Sequence, residues 1–137
     1  MTEDPFLNDD LAIEKLVNQW RKSGILIIAY DFDDTIYDYT EQKYTYPKVI
    51  SLLQECAEIG AFFIVYTARN ISDEPFIKNY LISNNIPFDT FGENAEFILL
   101  KGKKVYYNIL LDDKAGLSAS YRILKTAAEI IKKERKN

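Results

Sequence analysis

The sequence predicts an α/β protein, a three-layer α/β/α sandwich around a mainly parallel sheet, and three observations predict it. Predominantly apolar runs recur at residues 25–30, 61–66 and 106–111, the first of them largely β-branched, as in strands covered on both faces. Between and around them lie stretches whose apolar residues repeat at helical rather than alternating spacing. Finally, strands alternating with helices imply right-handed crossovers and parallel pairing. The chain has 137 residues, 47% hydrophobic and 28% charged, which suits one globular domain with a buried core. It reads as residues 1–137 forming one domain, with 1–23 an N-terminal helical extension and 25–134 the core. Internal repeats and low-complexity linkers are absent from the sequence.

The elements follow in order. Residues 8–22 read as an amphipathic helix: Leu11, Leu16, Val17 and Trp20 fall near one face, Ile13 lies beside them, and Gly24 follows the end. Trp20 reads as packing rather than as a partner surface. Residues 25–30 form the first strand. Residues 31–45 are polar and tyrosine-rich without a helical period, and read as a loop or short hairpin. Pro47 suits the first turn of a second helix and Gly60 lies just past its end; Val49, Ile50, Leu52, Leu53, Cys56 and Ala57 make its apolar stripe. Residues 61–66 form the second strand. Ser72 predicts the cap of a third helix ending near Asn84, with Pro75 tolerated in its first turn. Residues 86–90 are a short strand candidate, and 93–104 read as a short helix or strand followed by a turn at Gly102. A strand over 106–111 and a closing helix over 119–133 complete the chain. Its basic end, 132–137, reads as the solvated end of that helix, where cations favour the dipole.

Composition excludes several function classes. With 17 Lys and Arg against 21 Asp and Glu, the net charge is −4, and a nucleic-acid surface, which needs a basic stripe, is not favoured. Cys56 is the single cysteine, so no intramolecular disulfide forms. Histidine is absent, which removes Ser-His-Asp and Cys-His nucleophile systems and histidine-bound zinc. No apolar run approaches the ~18 residues of a membrane span. The acidic start Met1-Thr2-Glu3-Asp4-Pro5 lacks the pattern of a signal peptide, and the expected location is cytoplasmic.

Three apolar strands each end at a residue able to do phosphate chemistry: the first at Asp31, followed by Asp33; the second at Thr67; the third at Asp112 and Asp113. One acid after a strand is an ordinary turn residue. In a parallel sheet, however, ligands bind beyond the carboxyl ends of the strands, and that edge would gather all of these side chains. A calcium loop beginning at Asp31 is disfavoured, because its sixth position needs glycine and holds Ile36.

This arrangement resembles the haloacid dehalogenase superfamily. Asp31-Phe32-Asp33-Asp34-Thr35 matches its first motif, Asp-x-Asp-x-Thr, directly after a buried strand. Thr67, in Val65-Tyr66-Thr67-Ala68-Arg69, matches the lone Ser or Thr of the second. Lys104, or its neighbour Lys103, matches the third-motif lysine, and Asp112-Asp113 matches the acidic fourth. The glycine common after the second aspartate is here Asp34. With 33 residues between Asp33 and Thr67 and 44 between Thr67 and Asp112, neither gap holds a cap domain of the family's usual kinds. The resemblance implies a capless, Rossmann-like phosphohydrolase with a short flap over 36–46.

It also implies roles, each with a physical reason. Asp31 would attack phosphorus and form an aspartyl-phosphate, splitting one hard step into two. Mg2+ would be held by Asp31, Asp112 and the backbone carbonyl of Asp33, with Asp113 acting through water; hard oxygen ligands suit it. Asp33 would protonate the leaving oxygen and then activate water. Lys104 would balance charge, and Thr67, assisted by amides near the start of the next helix, would bind phosphoryl oxygens; Thr67, Ala68, Arg69 and Lys104 are the expected substrate-binding residues. Arg69 either reaches a substrate phosphate or pairs with a surface acid. Tyr37, Tyr39, Tyr44 and Tyr46 either wall the site, stacking a base, or cover the sheet's edge. The expected substrate is a small phosphorylated metabolite or nucleotide. Alternatives are a polynucleotide-end phosphatase, a phosphotransferase, or a phospho-accepting domain similar to a response-regulator receiver. The lysine precedes the terminal acid pair here, which disfavours the receiver.

Overall fold

The computed structural model describes Asp4 and residues 6–44, 46–100 and 102–136; the start of the chain read above against a signal peptide lies largely outside them. Helix α1, Asp9–Ser23, begins where Asn8 accepts a hydrogen bond from the Leu11 amide at 3.1 Å. It ends at Gly24, whose left-handed φ of 77° lets its amide return to the Trp20 carbonyl. Strand β1 (Ile27–Tyr30) follows, then α2 (Pro47–Glu58), β2 (Phe62–Val65), α3 (Glu74–Ser83), β3 (Thr90–Phe91), β4 (Ile109–Leu111) and α4 (Leu117–Arg135). The strands form one four-stranded sheet in the order β3-β2-β1-β4, and every pairing is parallel. The predicted α/β class and Rossmann-like parallel sheet are therefore present.

Alternation along the strands divides the core. Ile28, Tyr30, Phe63, Val65 and Leu111 join one apolar cluster with the buried residues of all these helices, including Ile13, Leu16, Val17 and Trp20 of α1. The N-terminal helix is thus built into the core and packs on α4. On the other face Ile27, Ala29 and Ile64 are covered by Val105, with Ile98 and Tyr107 packed against them. These covering residues come from a stretch without helix or strand.

Several boundaries differ from expectation. The strands are shorter than predicted: β1 and β4 keep their predicted ends at Tyr30 and Leu111 but begin later, at Ile27 and Ile109, β2 loses one residue at each end, and the third pairing segment is Thr90–Phe91 rather than 86–90. Ser72 caps nothing: it lies inside a short 3-10 turn, Ile71–Asp73, that leads into α3. Residues 93–104, where described, are irregular; Asn94 stands in for a regular partner, accepting from the Tyr106 amide and donating to the Leu100 carbonyl. Ala57 is exposed on α2. The basic end is not merely solvated, since the Arg135 guanidinium bonds the carbonyls of Ile59 and Gly24. No helix among the described residues is long and apolar enough to cross a membrane.

Trp20 is fully buried, and among the described residues its indole N–H meets no acceptor, so shape and apolar area carry its contribution. Trp20→Ala is expected to lower unfolding free energy by about 3–5 kcal/mol. Urea unfolding measures this, and unchanged stability would show that α1 is dispensable.

Candidate functional site

The site begins with strand register. Tyr30 pairs with Leu111 and with Val65. One residue on, the Asp31 amide donates to the Leu111 carbonyl at 2.9 Å, and the Tyr66 amide to the Tyr30 carbonyl at 2.8 Å. Asp31 and Asp112 therefore leave the sheet as neighbours, although 81 positions apart in sequence, and Thr67 leaves the adjacent strand.

Carboxylate oxygens of Asp31, Asp112 and Asp113 all lie within 4.8 Å of one another. Three hard oxygen donors this close can hold a divalent cation. The donor set fits such an ion, because the carboxylates otherwise face like charge. Asp31 is half-buried, and its carboxyl is pushed up to about 7. Burial is the largest cause; a hydrogen bond shared with Asp113 and the charges of Asp112 and Asp113 add to it.

Local structure explains how these acids are held. After Asp31 the chain turns tightly, the Phe32 carbonyl accepting from the amides of Ile36 and Tyr37 at 3.1 and 3.0 Å. Phe32, Thr35 and Ile36 are fully buried and anchor the turn. Thr35, quoted within the first motif but given no role there, proves structural: its hydroxyl accepts from the Asp113 amide at 3.1 Å and lies 3.4 Å from the Asp113 carboxylate. It ties the first acidic segment to the last. Asp112 accepts from the Lys114 amide at 2.9 Å, which orients its carboxylate.

Asp34 has a left-handed φ of 57°, in the region that favours glycine. Aspartate enters this region more readily than most residues, and here its carboxylate accepts from the Thr40 amide and hydroxyl at 3.1 and 3.0 Å. Tyr46 donates to the same oxygen at 3.4 Å. The flap is thereby tied to the turn beneath it.

Asp31, Asp33, Thr67, Ala68, Arg69, Asp112 and Asp113 line one cleft of about 780 Å³, together with Tyr39 and Tyr66, so the sheet gathers most of the predicted residues. The Thr67 hydroxyl accepts from the Arg69 amide at 3.2 Å, leaving its proton for a ligand. The Asp33 carboxylate stands outside the acidic trio, held by Arg69 with contacts of 2.7 and 2.9 Å. Of the two readings of Arg69, pairing with an acid is the one observed. Lys104 is exposed, its ammonium 5.9 Å from the ring centroid of Tyr107, and it does not line the cleft. Lys114 does. It was missed because no motif places a lysine there, although its position directly after the acid pair was a usable signal. Tyr37 packs into the aromatic cluster around Phe32, stacked at 5.0 Å, whereas Tyr39 is on the cleft wall.

No family model matches the chain, and no curated protein matches it. Among solved structures, a conserved protein from Bacteroides thetaiotaomicron aligns over 80% of this chain and 92% of its own, with a TM-score of 0.60 and 18% identity. That likeness extends to the fold.

Two predictions follow from this geometry. The folded-state value of Asp31 lies above the ~3.9 of an unfolded aspartate, so the folded, cation-free protein loses stability as pH rises from about 4 to about 7. Asp31→Asn is therefore expected to raise the thermal midpoint in chelator at neutral pH, with the gain vanishing near pH 4; a lowered midpoint would contradict the repulsion. Thr35→Val, which removes the link to Asp113, is expected to cost about 1–3 kcal/mol in denaturant unfolding, with no loss counting against the tie.

Proposed function

We propose that this protein is a magnesium-dependent phosphomonoester hydrolase of the haloacid dehalogenase type, with Asp31 as nucleophile. The observation that supports this reading best is the meeting of the Asp31, Asp112 and Asp113 carboxylates at the carboxyl rim of a parallel sheet. Acids scattered along a chain gain nothing in stability from such proximity; a shared cation and an anionic substrate give it a purpose.

An Asp31 oxygen attacks phosphorus and forms an acyl-phosphate bond as the ester oxygen departs. Asp33 takes up a proton from solvent and passes it to the departing oxygen. In the second half, Asp33 accepts a proton from water, whose oxygen attacks the same phosphorus; inorganic phosphate leaves and Asp31 returns as a carboxylate. The Thr67 hydroxyl and the Ala68 amide donate to the phosphoryl oxygens. Magnesium, held by Asp31, Asp112, Asp113 and the Asp33 carbonyl, would neutralise the repulsion between nucleophile and phosphate and keep Asp31 ionised at neutral pH. Lys114, on the cleft wall, is the lysine placed for charge balance, whereas Lys104 would have to reach in from outside the cleft.

The cleft volume of about 780 Å³ suits a small phosphorylated metabolite or a nucleotide, and Tyr39 and Tyr66 supply aromatic surface for its organic part. The net charge of −4 disfavours a polynucleotide end.

With magnesium present, release of phosphate from p-nitrophenyl phosphate is expected, falling by a factor of ~10³ or more in Asp31→Asn and stopping in chelator. Undiminished turnover in Asp31→Asn would remove the nucleophile. A stable phosphoprotein without turnover would favour the receiver-like reading instead.

A further inference from the structure

Arg69 and Asp33 come from different turns. Asp33 follows β1 and Arg69 follows β2, and their side chains meet in a fork-to-fork pair: Nε to Oδ2 at 2.9 Å and Nη2 to Oδ1 at 2.7 Å. Only 19% of the arginine side chain and 25% of the aspartate side chain are exposed. Among the described residues no other group bonds the Asp33 carboxylate. The guanidinium is itself restrained: its central carbon lies 5.3–5.5 Å from the ring centroids of Phe32, Tyr37, Tyr39 and Phe76. Phe32 and Tyr37 stack on each other, and Phe76 meets both edge-on. Those rings fix the plane of the fork, and the fork fixes the plane of the carboxylate. A lysine, with a point charge on a flexible stem, does neither.

We infer that Arg69 is the positioning residue of Asp33. It fixes the acid-base carboxylate in the cleft that Asp31 also lines and acts on the reaction through Asp33 rather than by holding the substrate. This rests on the hydrolase reading above, and it assigns Arg69 a task different from the phosphate binding its place after Thr67 suggests. A group that must meet the leaving oxygen and then a water at one point in space loses rate steeply when misaimed.

The test is a double-mutant cycle on wild type, Arg69→Gln, Asp33→Asn and the double variant, measured as kcat and KM for magnesium-dependent hydrolysis of p-nitrophenyl phosphate. Arg69→Gln is expected to lower kcat ~10- to 100-fold with KM changed less than ~3-fold. In the Asp33→Asn background the same change should remove less than a further ~2-fold, because the group it acts through is already gone. A full multiplicative loss in the double variant, or a raised KM with kcat retained, overturns the proposal and makes Arg69 a phosphate ligand. Thermal midpoints of all four proteins check folding. Should Arg69→Gln not fold, Arg69→Lys replaces it; it keeps the charge, is expected to lose kcat nearly as much, and overturns the proposal if fully active. Failure of the hydrolase reading is distinguishable, since wild type itself would then release no phosphate.

Discussion

Parallel pairing between β1 and β4 is the constraint on which the site depends. The ladder runs from Ile28 opposite Ile109 to Tyr30 opposite Leu111, and the Asp31 amide adds one more bond to the Leu111 carbonyl. Where the ladder stops, two acids from distant parts of the chain stand side by side. Left to themselves they would separate into water. They are kept together by what lies beneath: Phe32 and Ile36, fully buried below the turn, and Thr35, which bonds the backbone after β4. The apolar core thus offsets a local repulsion that the site requires, a familiar relation between stability and function.

Charge in the cleft is arranged unevenly. Asp31, Asp112 and Asp113 form the negative centre, while Arg69, the cation nearest in sequence to Thr67, is already engaged by Asp33. Lys114 stands on the wall and Lys104 outside it. An anionic substrate approaching this centre therefore meets a net negative field unless a cation sits among the carboxylates. Fold likeness to the Bacteroides protein at 18% identity bears on the scaffold alone; chemistry resides in particular side chains, not in a fold.

Much of the scaffold was legible because it rests on local patterns. The stripe Leu16, Val17 and Trp20 located α1, Pro47 and Gly60 bracketed α2, and continuous apolar runs located β1, β2 and β4. Boundaries were less legible, since a strand extends only as far as its neighbours continue the ladder, and β3 is limited to two residues beside β2. The stretch around Ile98 and Val105 has no readable period because it covers the second sheet face with single inserted side chains and with bonds through Asn94. Ser72 looked like a cap by residue type alone, but a 3-10 turn begins ahead of it at Ile71.

By itself the sequence determined the alternation of strands and helices, and with it which acids would stand at a strand end. Those facts follow from local periodicity and from the right-handedness of crossovers. Only the tertiary structure decided which side chains touch. It separated Asp33 from the acidic trio and gave it to Arg69, buried Thr35 against Asp113, and put Lys114 rather than Lys104 on the cleft wall. These choices depend on turn geometry and on distances between chain segments far apart in sequence, and no local pattern encodes them.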